Sequence, residues 1–462
     1  MRPGGRRRPP SAAAPSAAAA PSAAGTLVGV LLVAVLALAA CGGGPDQGGI
    51  VLTFPGSAVG AEARVLRTQL DRFMAAHPGI RVEQRVTPDA ADQRHQLYVQ
   101  WLNARAPEPD ILQLDVIWTP EFAAAGWILP IDSLGADAAP FFPNTVRANR
   151  WRGHLYALPW FVDMGLLYWR TDLMDRPPDT FAQLARVAER AQREDSVRYG
   201  FVWQGARYEG LVTVFLEHLG GFGGRIMDDS GHITVDSDAG IRALTYMRDA
   251  VWKEGIVPRA ALTWQEEQTR FAFQNGEAAF MRNWPYAYPL MEDTAGSGVA
   301  GRFAAATMPA GPGGEATSAL GGSELAINAN TRHPQAALEL LRFLTAPRQM
   351  IERARVVGEY PTRRDLYEGD TLRGLLPIPP ARARELIEHA VPRPVTPVYS
   401  QLSSLLQIQL HRALTRQADP RQALETAARQ MRGLLARVGL APGDSSGRAP
   451  GDTADPAERN RG

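Results

Sequence analysis

Cysteine and lysine are almost missing from this chain. Its one cysteine, Cys41, rules out an intramolecular disulfide and a thiolate metal centre. Its one lysine, Lys253, is followed by Glu254, so the phosphate cradle G-x-x-x-x-G-K-S/T is absent. The patterns H-E-x-x-H and G-x-S-x-G are absent too, and the eight histidines are scattered rather than set at ligand spacing. No cofactor and no metal are therefore expected, and no activated nucleophile is found. Gly220-Gly221-Phe222-Gly223-Gly224 is rich in glycine but lacks the G-x-G-x-x-G spacing and reads as a turn. Charge of either sign is not in excess, with 49 basic and 48 acidic residues.

The acids that are lacking are all lacking at one end. Residues 1–40 hold none, while Arg2, Arg6, Arg7 and Arg8 precede an apolar run from Leu27 to Leu38. That run is too short to span a bilayer comfortably and suits the core of a signal peptide. It ends in Leu38-Ala39-Ala40-Cys41, followed by Gly42-Gly43-Gly44. The expectation is a signal peptide over residues 1–40, lipidation of Cys41 and a flexible tether over 41–48. Removing those four arginines leaves 45 basic against 48 acidic residues, a net −3, which gives no support to a nucleic-acid partner. With 45% hydrophobic and 21% charged residues, the rest is an ordinary globular chain, large enough for more than one core.

The patterning is α/β. Ile50 to Phe54 is a short β-rich run, and Val65, Leu66, Leu70, Phe73 and Met74 recur at helical spacing until His77-Pro78-Gly79. Ile80 to Val86 predicts a strand, Ala91 to Asn103 a helix, and Ile111 to Leu114 a strand that delivers Asp115 at its carboxyl end. Alternating strand and helix predicts a parallel sheet whose ligand lies beyond the carboxyl ends of the strands. A second lobe begins near Pro159, with strands at Gly165 to Trp169 and Tyr199 to Trp203, and helices from Thr180, Leu211 and Ala239. Strand-like Phe303 to Met308 and Leu325 to Ile327, then helices Pro334–Leu344 and Pro347–Val356, look like a return to the first lobe. The expected division is residues 49–158 and 302–360 in lobe 1, 159–301 and 361–440 in lobe 2, and a disordered tail over 441–462. Crossings at Leu158-Pro159 and Ala300–Phe303 would hinge a cleft between the lobes.

What the chain does have is aromatics beside acids in loops: Trp118, Tyr156, Trp160, Trp203, Tyr208, Trp284, Tyr286 and Tyr288, with Asp115, Asp163, Glu209 and Glu324. A pyranose asks for this pairing, because its C–H face packs on an aromatic plane while its hydroxyls need carboxylates, amides and Arg. Pro285 keeps Trp284 out of a continuous helix and so presents it from a loop. Glu266-Glu267 and Glu217 with His218 read instead as solvated surface, since adjacent helical residues point to different faces.

Four stretches resemble the extracellular solute-binding proteins of carbohydrate importers: Asp110 to Asp115, Ala125 to Ile131, Tyr156 to Pro159 with Asp163 to Tyr168, and Phe273 to Phe280. The similarity covers about residues 50–440. Gly200-Phe201-Val202-Trp203-Gln204-Gly205, then Tyr208-Glu209-Gly210-Leu211 and Asn283-Trp284-Pro285-Tyr286, are similar to the trehalose/maltose-binding branch. The resemblance implies the two-lobe periplasmic-binding-protein fold of type II, closing on a disaccharide. It places contacts on Glu62, Asp115, Asp163, Tyr208 or Glu209, Trp284, the Gly321-Gly322 turn and Arg363. Trp203, Tyr286 and Glu324 complete the candidate set. Ser323-Glu324 stands where relatives often carry an aromatic. The implied partners are a sugar, the permease subunits of an ABC importer and, through the lipid, the outer face of the cytoplasmic membrane, with the protein itself a monomer. An exported glycoside hydrolase, a binder of a non-sugar solute and a sensor subunit use the same residue types and stay open.

Overall fold

A computed structural model of the chain describes residues 49–56, 61–194 and 196–442. The expected signal peptide, Cys41, the tether up to Gln47 and Gly48, and the tail from Gly443 lie outside the described residues. The first strand, Ile50–Gly56 (β1), is followed by helix Glu62–Ala76 (α1), strand Ile80–Val86 (β2), helix Ala91–Asn103 (α2) and strand Ile111–Asp115 (β3). Short helices Thr119–Ala124 (α3) and Pro143–Ala148 (α4) and the hairpin Arg150–Trp151 (β4) and His154–Leu155 (β5) lead to Ala157–Met164 (β6). After Gly165 come Leu166–Arg170 (β7), Phe181–Arg193 (α5), Tyr199–Val202 (β8), Glu209–Gly221 (α6) and Asp238–Trp252 (α7). Then follow Glu266–Gln274 (α8), Ala278–Asn283 (β9), Ala287–Glu292 (α9), Phe303–Ala306 (β10) and Leu320–Ile327 (β11). The chain closes with Pro334–Leu344 (α10), Pro347–Val357 (α11), Tyr360–Pro361 (β12), Pro380–His389 (α12), Tyr399–Leu414 (α13) and Pro420–Arg437 (α14).

Two four-stranded sheets organise these elements, in the orders β12-β6-β11-β3 and β10-β7-β9-β8. The parallel pair β1–β2 sits against the first, joined where the Asp110 amide donates to the Thr53 carbonyl (3.1 Å) and the Thr53 amide donates to Asp110 Oδ2 (2.8 Å). Each sheet has its own apolar core. Leu52, Phe54, Ile111, Leu325, Leu341 and Tyr360 pack in the first lobe; Leu167, Phe201, Phe215, Leu244 and Phe280 pack in the second. Local signals place the helices: Thr180 caps α5 in a box with Gln183, and Phe181, Leu184, Ala188 and Ala191 form its buried stripe.

Neither four-stranded sheet is parallel: all neighbours in the first are antiparallel, and in the second only β8 and β9 run parallel. β11 runs antiparallel to both β3 and β6 because it enters the first lobe from the second rather than from a crossover helix. The lobe boundaries also differ from those expected. β10 pairs with β7, so residues 303–306 stay in the second lobe. Leu366, Tyr367, Leu372 and Ile387 belong to the first lobe's core, so the chain after Pro361 does not return to the second lobe until Leu402, Leu406, Leu424 and Met431 join that core. Leu158-Pro159 lies inside β6. The chain thus passes between lobes three times: at Gly165, between Ala306 and Leu320, and between His389 and Tyr399.

Candidate functional site

Between the lobes lies a cavity of about 290 Å³. Its first-lobe wall is built by Glu62 at the start of α1, Arg94 on α2, Gln113 and Asp115 on β3, Phe161 and Asp163 on β6, and Gly321, Gly322 and Ser323 on β11. The second lobe supplies Tyr208, Glu209 and Gly210 at the start of α6, Gln265 to Gln268 at the start of α8, and Trp284 and Tyr286 after β9. Arg393 enters from the third crossing. Gly322 is needed as glycine: its φ is +116°, and a Cβ there would stand 2.2 Å from the Phe161 carbonyl oxygen.

Acids dominate, and some of them are answered within the protein. Arg393 donates from Nη2 to Asp115 Oδ1 at 2.8 Å and from Nη1 to Glu209 Oε1 at 2.9 Å, so one guanidinium joins the two lobes. Glu209 also accepts from the Tyr399 hydroxyl at 2.7 Å and from Ser403. Burial pushes the Glu209 carboxyl up, and Arg393, Ser403 and Tyr399 oppose that push. Glu267 is held by Arg270 Nε at 2.9 Å and by the Tyr286 hydroxyl at 2.7 Å.

Four side-chain atoms of cavity-lining residues are buried without a partner among the described residues: Asp163 Oδ1, the Tyr208 hydroxyl, Arg94 Nε and Arg393 Nε. Burial, reinforced by the carboxylates of Glu359, Glu62 and Asp115, holds the Asp163 carboxyl well above its ordinary range. Burial and the Glu266 carboxylate do the same to the Tyr208 phenol. Unpaired buried polar atoms are costly unless something else meets them. Tyr208 can lie across the first turn of α6 because residue 210 is glycine, where a Cβ would stand 2.2 Å from the phenol oxygen.

Trp284 leaves β9 in an irregular segment, as Pro285 predicts. Its amide donates to Asn283 Oδ1 at 2.8 Å and its carbonyl accepts from the Tyr168 hydroxyl at 2.9 Å. The Arg282 guanidinium lies 3.8 Å from the centre of its ring. The indole is half-buried and borders the cavity.

The structure brings together Glu62, Asp115, Asp163, Tyr208, Glu209, Trp284, Tyr286 and Gly322 in this one cavity. It does not bring Trp203, Glu324 or Arg363 there. Trp203 is 1% exposed and packs in the second lobe's core. Glu324 is 1% exposed behind Ser323 and accepts from Asn149 Nδ2 at 2.6 Å. Arg363 pairs with Asp365 at 3.0 Å and lies near Phe141. Glu217 and His218 are not solvated surface either. Glu217 is fully buried against Arg282, and His218 stacks on Phe181 at 4.8 Å, with burial pushing its imidazole down to about 4. Glu266 likewise faces the cavity rather than open solvent. Sequence reasoning missed Arg393, Arg94 and Gln113. Arg393 stands between Pro392 and Pro394, which hold it in extended backbone outside any helix, the same signal that marked Trp284.

Burial pushes the Glu324 carboxyl up to about 8, the hydrogen bond from Asn149 opposing and Asp115 adding to it. A carboxyl favoured neutral in the fold contributes stability that is present below its unfolded value and is lost as pH rises toward the folded one. Glu324→Gln removes that loss. The variant is expected to be more stable than the parent by a few kcal/mol at about pH 8, with most of that difference gone at about pH 5. Melting curves at the two pH values check it, and equal melting at the higher pH would contradict it.

Residues 59–351 match the family model described as bacterial extracellular solute-binding protein. A probable ABC transporter-binding protein of Deinococcus radiodurans is 34% identical over 419 residues, covering 88% of this chain and 98% of the relative. A maltotriose-binding protein of Pyrococcus abyssi is 25% identical over 234 residues, half of this chain and 49% of the relative. Among solved structures, T. maritima MalE3 with maltose bound aligns with a TM-score of 0.80 and 38% identity, covering 84% of this chain and 100% of that chain.

Proposed function

We propose, from the premise that this chain belongs to the bacterial extracellular solute-binding proteins, that it captures a disaccharide of the maltose or trehalose kind for an ABC importer and does not cleave it. One observation carries this: a half-buried indole borders a cavity in which the Asp163 oxygen and the Tyr208 hydroxyl are buried without partners among the described residues. A pyranose answers both needs, laying its C–H face on Trp284 while its hydroxyls meet the polar groups. The maltose carried by MalE3, at 38% identity, and the name of the archaeal relative agree with an α-linked glucoside. A thermal-shift screen of maltose, trehalose, maltotriose and mannitol tests the reading. A ligand at about a hundred times its Kd stabilises by about 2.7 kcal/mol, and a panel without any shift would overturn it.

The sugar is bound by both lobes, so closure about Gly165, the 307–319 crossing and the 390–398 crossing accompanies binding. Saturating maltose is expected to lower the radius of gyration in small-angle scattering, and an unchanged value with bound sugar would contradict a hinge. Cys41, after Leu38-Ala39-Ala40, is the proposed lipidation site that anchors a monomer to the outer face of the cytoplasmic membrane beside the permease. Cys41→Ala is expected to move the protein from the membrane fraction to the soluble one or to leave it unprocessed. An unmodified mature terminus elsewhere, found by mass spectrometry, would refute the anchor.

A further inference from the structure

The fully buried ion pair Glu217–Arg282 is not part of the cavity wall, yet it touches the parts of the molecule that move and the part that stacks. Arg282 donates from Nε to Glu217 Oε2 at 2.8 Å and from Nη1 to Gln204 Oε1 at 3.2 Å, while the Gln204 amide returns a bond to the Arg282 carbonyl at 3.1 Å. With its edge so fixed, the planar guanidinium presents a face, and Trp284 lies 3.8 Å from it.

The other side of the pair meets the crossings. A Cβ on Gly165, the residue between β6 and β7, would stand 1.7 Å from Glu217 Oε1 and 2.7 Å from Arg282 Nη2, so the first crossing runs directly over the pair. On the second crossing the Ala319 amide donates to Glu217 Oε1 at 3.4 Å, and the Ser318 hydroxyl donates to the Gly165 carbonyl at 2.9 Å. The third crossing joins them through Val391, whose amide donates to the Ser318 carbonyl at 2.9 Å while its carbonyl accepts from the Leu320 amide at 2.9 Å. Two of the three crossings therefore meet at one carboxylate whose partner cation backs the indole, and the third is tied to the second beside it.

We propose that Glu217 and Arg282 are a positioning pair that holds Trp284 in its pose and fixes that pose to the inter-lobe crossings, so that platform and hinge are set together. The affinity part of this rests on the cavity being the saccharide site. Removing Arg282 alone leaves a buried carboxylate uncompensated, whereas replacing both partners is far better tolerated. The test therefore uses Glu217→Gln with Arg282→Met.

Fluorine NMR of 5-fluorotryptophan-labelled protein reads the pose without any sugar, the Trp284 line being assigned by its loss in Trp284→Phe. In the pair variant that line is expected to shift or broaden, while the lines of Trp101, Trp127 and Trp252 stay in place. With the sugar that shifts the wild-type melting most in the panel, the pair variant is expected to bind about tenfold or more weaker. In a Trp284→Ala background the same pair change is expected to alter affinity less than about twofold, because the residue through which it acts is gone. An unmoved Trp284 line, or losses that multiply across the two backgrounds, would overturn the proposal. A wild-type chain that binds no sugar would instead overturn the saccharide reading and leave the fluorine spectrum to decide the positioning role.

Discussion

Arg393→Met is expected to cost the fold about 3–5 kcal/mol, the range for stranding one member of a buried pair, and to abolish tight sugar binding. Its guanidinium answers Asp115 from the first lobe and Glu209 from the second. Without it, the buried Glu209 carboxylate keeps only the Tyr399 and Ser403 hydroxyls and the desolvation that already pushes it up. The pH dependence has a definite sign. Glu209 in the fold prefers its protonated form relative to the unfolded chain, and loss of the neighbouring cation strengthens that preference. The penalty of the variant is therefore largest at high pH and shrinks as pH falls through the raised Glu209 value. Urea unfolding of parent and variant at about pH 8 and about pH 5 measures both quantities. A loss below about 1 kcal/mol, or one independent of pH, would show that the arginine does not neutralise Glu209.

Trp284→Ala is expected to weaken sugar binding by about 2 kcal/mol or more, roughly thirtyfold, as for a central aromatic anchor. The structure refines what it does to stability. The indole is half-buried, backed by Arg282 at 3.8 Å, and its rim lies where a Cβ on Gly321 would approach to 3.2 Å. Truncation therefore costs about 1–2 kcal/mol of folding free energy rather than the 3–5 kcal/mol of an aromatic lost from a closed core. Calorimetric affinity and melting temperature of the one variant separate the roles. A protein that melts far earlier yet binds sugar normally would remove Trp284 from the site.

Periodicity made the local elements legible. Ile80–Val86, Ala91–Asn103 and Pro334–Leu344 run between the residues the pattern marks, and the strand ending at Asp115 does place that carboxylate at the cavity. Lobe membership was not legible, because β10 and the segment after Pro361 are assigned by long-range partners, Leu167 to Arg170 for the one and the Leu52–Phe54 core for the other, which local pattern does not name. Glu324 was misjudged for a reason the sequence contains: Ser323 lines the cavity, so on a strand the next side chain points away from it. Glu217 is similar. The sequence Leu211-Val212-Thr213-Val214-Phe215-Leu216 before it holds a single polar residue, which marks a buried helix, and an acid on such a helix must be paired.

Calorimetric titration of the mature chain with maltose and trehalose, with chromatography of the recovered sugar, tests whether an unmodified disaccharide is captured in the cavity between the lobes. Saturable binding of one sugar per chain is expected for at least one of the two, with the sugar recovered intact and the binding lost in Trp284→Ala. Heats no larger than dilution for both sugars, or recovery of glucose in their place, would contradict it.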